Sequence, residues 1–299
     1  MSTLAEKAEK TEKVEQVEKE EVAEGYRAGR TLPLRVELVR QLKRRRTLIM
    51  FGLLAALPFI LAIAFQVGGE PGGGNERVNL MDTATASGAN FAAVNLFASA
   101  GFLLVVPVAL FCGDTVASEA SWSSLRYLLA APVPRARLLW SKLVVGLTLS
   151  LAAMVLLPVI ALAVGTVAYG WGPLQLPTGG TLPSGDAARL LLIVMAYIFV
   201  SQFVTAGLAF WLSTRTDAPL GAVGGAVGLT IIGSVLDEVT ALGDWRDFIP
   251  AHWQFAWLDV IQPEPDYSEM IQGTSISLTY ALVLFALAFR GFARKDVVS

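Results

Sequence analysis

The chain has 299 residues, of which 54% are hydrophobic and only 16% charged, with a formal net charge of -2. Soluble domains are usually about 45–50% apolar and about 25% charged, so this composition excludes an ordinary soluble enzyme and points to a membrane protein. A single cysteine, Cys112, excludes a disulfide scaffold, and a single histidine, His252, leaves almost no room for a histidine-based metal centre.

Residues 1–30 form a charged tail. Glutamates recur every third position from Glu6 to Glu24, interleaved with Lys7, Lys10, Lys13 and Lys19. Pairs such as Glu6/Lys10 support a solvated helix, but nothing apolar is there to bury, so disorder fits equally. The segment is read as a flexible cytosolic tail, not a signal peptide. In residues 31–46, Leu34, Leu38 and Leu42 fall on one helical face, with Arg35, Arg40, Lys43 and Arg44 around the rest. This spacing predicts a basic amphipathic helix lying on an anionic membrane surface.

Residues 47–299 read as an all-α integral membrane domain. Six apolar segments are expected to span at 47–67, 91–112, 141–169, 188–213, 218–236 and 274–292. Each approaches the roughly 20 residues that cross a hydrocarbon core as a helix. With the N-terminus in the cytoplasm, 20 of the 23 basic residues fall on the inner side and only Arg77, Arg189 and Arg246 outside. Positive charge is retained inside, so both termini are expected in the cytoplasm. The longest outer piece, 237–273, is acidic and rich in tryptophan. It is expected to fold back on the bilayer as short re-entrant or interfacial helices.

Enzyme signatures are missing: there is no HExxH, CxxC, GxSxG or GxxxxGK[ST]. The chain is therefore read as a non-enzyme that binds no cofactor of its own, with no nucleic-acid partner. Polarity within the spans comes from Asn95 and Ser99, and from Ser201, Gln202 and Thr205. These either line a cavity or bond between helices. Gly221, Gly225 and Gly228, with Gly224, crowd the fifth span at spacings that let helices approach closely.

The inner loop 113–142 is too apolar for a solvated linker. Leu125, Leu128 and Leu129 form one helical face, Pro132 and Pro134 force a turn, and Arg135, Arg137 and Lys142 follow. A short helix, a proline turn and a basic stretch make a structured knob on which a cytosolic partner can push.

Glu119, Leu125-Arg126, Leu128-Leu129, Pro132, Arg135, Leu138 and Lys142 resemble the loop pattern of the permease subunits of type-2 ATP-binding-cassette (ABC) exporters. The likeness extends over about residues 31–295, through the amphipathic helix, six spans and a longer outer insertion before the last. Ser123 and Ser124 stand where that family often has Gly-Thr. Frequent alanine, glycine and arginine, with lysine scarce after residue 43, fit a bacterial inner-membrane protein. The resemblance implies pairing with a second permease, identical or paralogous. It also implies two cytosolic ABC ATPase subunits, which hold the ATP and Mg. Glu119, Arg126, Leu128, Pro132, Arg135, Arg137 and Lys142 would form the coupling helix. The substrate path would run between the permeases near Asn95, Ser99, Phe102, Gly221, Gly225 and Gly228. The apolar membrane surface fits a hydrophobic or amphiphilic cargo such as a drug, antibiotic or lipid. Polysaccharide export and metalloenzyme maturation are the alternatives within the family; a secondary transporter or a membrane scaffold are those outside it. The lack of ionisable residues deep in the spans weighs against an ion-driven transporter.

Overall fold

A computed structural model of the chain describes residues 34–68, 80–121 and 134–294. α1 (Leu34–Leu42) turns at Lys43 and Arg44 into α2 (Arg45–Gly68). After a 3-10 turn at Leu80–Thr83 come α3 (Gly88–Ala100), α4 (Val105–Ser121) and the long α5 (Arg135–Tyr169). A small antiparallel hairpin, β1 (Leu174–Gln175) and β2 (Thr181–Leu182), precedes α6 (Ser184–Ser201) and α7 (Phe203–Arg215). Then follow α8 (Pro219–Asp237), 3-10 segments at Thr240–Phe248 and Pro250–Val260, and α9 (Ser268–Ala293).

Among the described residues, α2, α5, α6 with α7, α8 and α9 make five helical stretches long and apolar enough to cross a bilayer. α3 and α4 make a sixth if they are taken as one span, bent by 53°. The expected second span, 91–112, is thus replaced by a broken helix that runs from Gly88 to Ser121. The expected third span, 141–169, lies within a longer helix that starts six residues earlier, at Arg135. Asp114 and Glu119 look like loop residues, yet they find partners inside the protein, and the end of α4 carries them. The loop expected at 113–142 contracts accordingly. Its central residues 122–133, with Arg126, Leu128 and Pro132, lie outside the described residues.

α4 is the centre of the bundle. It is buried almost without interruption from Val105 to Glu119 and packs against α5, α7 and α8. α2 and α8 are peripheral: α2 buries Thr47, Leu54, Pro58 and Ala62, and α8 buries only Ala222 and Ala226. α3 meets α5 at two glycines. A Cβ on Gly165 would lie 2.8 Å from Phe91 Cβ, and one on Gly88 would lie 2.6 Å from Thr166 Oγ1. Only hydrogen in place of a side chain lets these backbones approach so closely. Ser87 caps α3 through Asn90 N–H, and Asn90 exchanges two hydrogen bonds with Gln175, fixing the hairpin to the start of α3.

The ends of the bundle differ in charge. Lys142 meets Glu119, Arg44 meets Asp114, Arg135 donates to Ala293 O, and Arg215, Arg290 and Arg294 line a shared cleft. These contacts gather the start of α2, the end of α4, the start of α5 and the ends of α7 and α9 at one basic pole. At the other pole the 3-10 segments of residues 240–260 pack against α6, α8 and α9. They kink at Gly243, whose φ of +49° is readily adopted by glycine. Trp253 and Trp257 are buried there, while Trp245 and Phe248 are exposed.

Candidate functional site

The basic pole contains a cluster of charges that the helices bury together. On α1 the inward positions are Glu37 and Gln41, four residues apart, and Gln41 donates to Glu37 Oε1 at 3.0 Å. The apolar side of α1 faces outward: Leu34 and Leu42 are 45% and 36% exposed, with Val36 and Val39 beside them. Of the three leucines expected on the membrane-facing side, Leu34 and Leu42 are exposed and Leu38 packs against the core. The polar stripe has turned inward because charged partners wait there.

Those partners come from α4 and α5. Glu119, in the last turn of α4, and Lys142, two turns into α5, have side chains only 1% and 2% exposed. Lys142 Nζ donates to Glu119 Oε1 at 2.6 Å and to Glu37 Oε1 at 3.3 Å. Arg40 closes the circuit, binding Glu37 Oε2 at 2.6 Å and also reaching Glu119 Oε1. Burial on its own would raise the Glu37 carboxyl. Lys142, helped by the hydrogen bonds from Arg40 and Gln41, outweighs that and holds it below the ordinary 4.5. Burial likewise opposes the Arg40 charge, and its bonds to Glu37 and Glu119 prevail.

A second group sits one turn deeper. Asp114, 4% exposed, accepts from Arg44 at 2.5 Å and from Arg46, while Arg44 also reaches Ser118 Oγ at 3.4 Å. Ser213 of α7 accepts from the backbone N–H groups of Val116 and Ala117 at 3.1 and 3.0 Å. The end of α4 is thereby fixed on three sides: to α1 and the start of α2 by ion pairs, to α5 by Lys142, and to α7 by Ser213. Removing an ion from water costs several kcal/mol, so a buried group of this kind holds only as a network.

Of the residues expected in the coupling region, Glu119 and Lys142 enter this cluster. Arg135 lies at its edge, exposed and bonded to Ala293 O, and Arg137 is half-buried. Arg40 and Arg44 stand in the sequence only as part of the basic side of the expected amphipathic helix, and Glu37, Arg46 and Asp114 are not singled out by it. The available signal was the Glu37/Gln41 spacing, which places two polar groups on one face of α1. The expected path residues do not share one surface. Asn95 and Ser99 are fully buried and bond to their own helix, at Phe91 O and Asn95 O. Phe102 is 54% exposed at the α3–α4 break. On α8, Gly221 is exposed, and Gly225 faces Leu212, where an added Cβ would lie 3.0 Å from Cδ1. Gly228 has open space around it.

At the opposite pole, His252 Nδ1 lies 2.6 Å from Asp237 Oδ1, and Arg246 donates to the same oxygen at 3.2 Å. Asp237 ends α8, so this group ties the outer segment to that helix.

A family model described as "ABC-2 family transporter protein" matches residues 34–215, from α1 through α7 and including both buried charge groups. The chain is also 25% identical over 206 residues to the uncharacterized protein YhcI of Bacillus subtilis (strain 168). That match covers 64% of this chain and 63% of YhcI, so the chain spans less than two thirds of its relative's length. With the bundle of membrane-crossing helices and a family match over more than half its length, this chain belongs to the ABC-2 transporter family and is a multi-pass membrane permease.

Proposed function

We propose that the chain is the membrane half of an ABC exporter, coupled to a separate ATPase through residues 122–133. The observation that carries this reading is the Glu119–Lys142 pair at the base of that segment, locked to α1 through Glu37 and Arg40. A partner pressing on a segment anchored in this way displaces α4 and α5 together. α4 is buried along nearly its whole length and packs on α5, α7 and α8, so its movement repacks the core and does not dissipate in a loop. ATP binding and hydrolysis in the partner would then bias an inward–outward equilibrium through contacts that differ between the two states.

In this reading the basic pole is cytoplasmic, as the distribution of lysine and arginine favours. α1 lies at the inner surface of a bacterial plasma membrane, with Leu34, Val36, Val39 and Leu42 toward lipid. Two permeases and two ATPase subunits assemble, the ATPases holding ATP and Mg. The face of α8 around Gly224 and Gly228, where a side chain would meet nothing, gives a second permease room to approach. The cargo is hydrophobic or amphiphilic.

The deciding experiment is co-purification with a candidate ABC ATPase subunit from the same organism, followed by ATP hydrolysis in lipid nanodiscs. A stable complex whose hydrolysis is altered by Glu119→Ala or Arg126→Ala, in protein that still inserts, is the expected result. Failure of any ATPase to associate would overturn the reading.

A further inference from the structure

Between the α6–α7 break, the middle of α8, the second outer 3-10 segment and α9 lies a cavity of about 280 Å³. Leu208, Leu229 and Leu284 form much of its wall. Gln202, the residue that separates α6 from α7, lines it as well. Gln202 is 5% exposed, and its Oε1 has no hydrogen-bond partner.

The neighbouring polar side chains are engaged within the chain. Ser201 donates to Ile198 O at 2.8 Å, and Thr230 donates to Ala226 O at 3.0 Å. Gln254 donates to Ala100 O at 2.6 Å, and Tyr280 donates to Phe248 O at 3.0 Å. The amide of Gln202 is different: the side chain lines the cavity, and its buried oxygen has no partner among the described residues. Leaving a buried acceptor unmet costs about 1–3 kcal/mol, and hydrocarbon offers no water to relieve it. Leu229 and Tyr280 on the wall are 45% and 43% exposed, so the cavity is reachable from the outer surface of α8 and α9.

We propose that this cavity binds the hydroxyl-bearing end of an aliphatic amphiphile. The ligand O–H donates to the Gln202 amide oxygen, and the alkyl part fills the leucine-lined space. A hydroxyl both donates and accepts, so it suits the amide in either orientation. The volume is near the lower end of ligand pockets, which run from about 300 to 1,000 Å³, and fits a small alcohol or the end of a longer molecule. The site lies within one chain and needs no ATPase, so it stands or falls separately from the coupling reading.

The test is photolabelling of the full chain in phosphatidylcholine nanodiscs with 3-azioctanol and with its hydroxyl-free analogue 3-azioctane, mapped by mass spectrometry. The alcohol is expected to label residues of the wall at least tenfold more than the hydrocarbon, and unlabelled octanol should compete. Gln202→Leu should abolish the preference for the alcohol. Gly233→Leu provides a second variant: a Cβ there would sit 3.7 Å from Ala251 Cβ and 3.9 Å from Ile249 Cγ2, both wall residues, so a side chain grows into the cavity without forcing the backbone. It should lower labelling by both probes. Equal labelling by the two probes would mean an apolar groove only. Absence of labelling would mean that water or nothing occupies the cavity. Alcohol preference that survives both variants would place the site elsewhere. Each of these results overturns the proposal.

Discussion

Lys142 donates to Glu119 across 2.6 Å, joining the start of α5 to the end of α4, and the side chains are only 2% and 1% exposed. Of the residues the family resemblance assigns to the ATPase contact, Arg126, Leu128 and Pro132 fall between these two helices in the sequence, and Glu119, Arg135, Arg137 and Lys142 lie on them. The pair therefore closes the base of the segment on which a partner would push.

Breaking this pair from one side should be far worse than replacing both partners. Lys142→Met removes the buried cation that Glu119 and Glu37 share, and a stability loss of about 3 kcal/mol or more is expected. The double variant Glu119→Leu/Lys142→Met removes both buried charges and should recover a good part of that loss. Thermal unfolding in detergent of the wild type, the single variants and the double variant measures the coupling. A loss in the double variant equal to the sum of the two single losses would show that the two residues do not act as a pair.

The docking of α1 should weaken in acid. Glu37 has its carboxyl held below 4.5 by Lys142 and Arg40 against the opposing effect of burial. A group with a lowered folded value contributes its stability above the unfolded value and loses it as pH falls through the folded one. The wild type should thus hold α1 in place from neutral pH down to about pH 4.5 and lose that contribution below. In Glu37→Gln this pH-dependent part should vanish. Thermal unfolding between neutral and acidic pH checks it through the difference between the two proteins; a constant difference across that range would exclude Glu37 as the titrating group.

The spans were legible in the sequence because long uncharged runs have few other solutions. The charge cluster was not. Asp114, Glu119 and Lys142 look like loop residues until their partners are known, and those partners are up to 105 residues away, as in the Glu37–Lys142 contact. Leu34, Leu38 and Leu42 mark the apolar face of a surface helix, but the stripe that turns into the protein, Glu37 and Gln41, is polar and is readable only with its partners known. Periodicity identifies a face, but tertiary contacts decide which face turns inward. Asn95 and Ser99, which the sequence reads either as lining a cavity or as bonding between helices, each donate to a carbonyl of their own helix.

Glycines in similar helical settings should respond in opposite ways. A Cβ on Gly273 would lie 2.4 Å from Tyr197 Oη and 2.6 Å from Trp253 Cβ, so Gly273→Ala must push the second outer 3-10 segment away from α9. Overpacking of this kind costs about 1–3 kcal/mol. Gly224 on α8 has nothing within 4 Å, and Gly224→Ala should leave the unfolding temperature unchanged or slightly raised. Melting curves in detergent distinguish them. If a second permease packs on that face, Gly224→Leu should also reduce the fraction that runs as a dimer without lowering monomer stability.

The outer pole has a fastening that should be separable from the rest of the fold. The turn at Thr240–Phe248 buries none of its residues, so polar contacts hold it. Asp237 accepts from Arg246 at 3.2 Å and pairs with His252 at 2.6 Å; Trp253 donates to Asp247 O at 2.9 Å, and Tyr280 to Phe248 O at 3.0 Å. Asp237→Ala removes the one acceptor that both Arg246 and His252 share. Partly exposed ion pairs are worth about 0–1 kcal/mol, too little to alter global unfolding appreciably. Local opening is governed by just such small terms, because nothing apolar holds this turn. Trypsin should therefore cut after Arg246 several-fold faster in Asp237→Ala than in the wild type, with the melting temperature nearly unchanged, and Tyr280→Phe should add to the effect. Unchanged cleavage at Arg246 would mean that the turn is held by its remaining backbone contacts and not by Asp237.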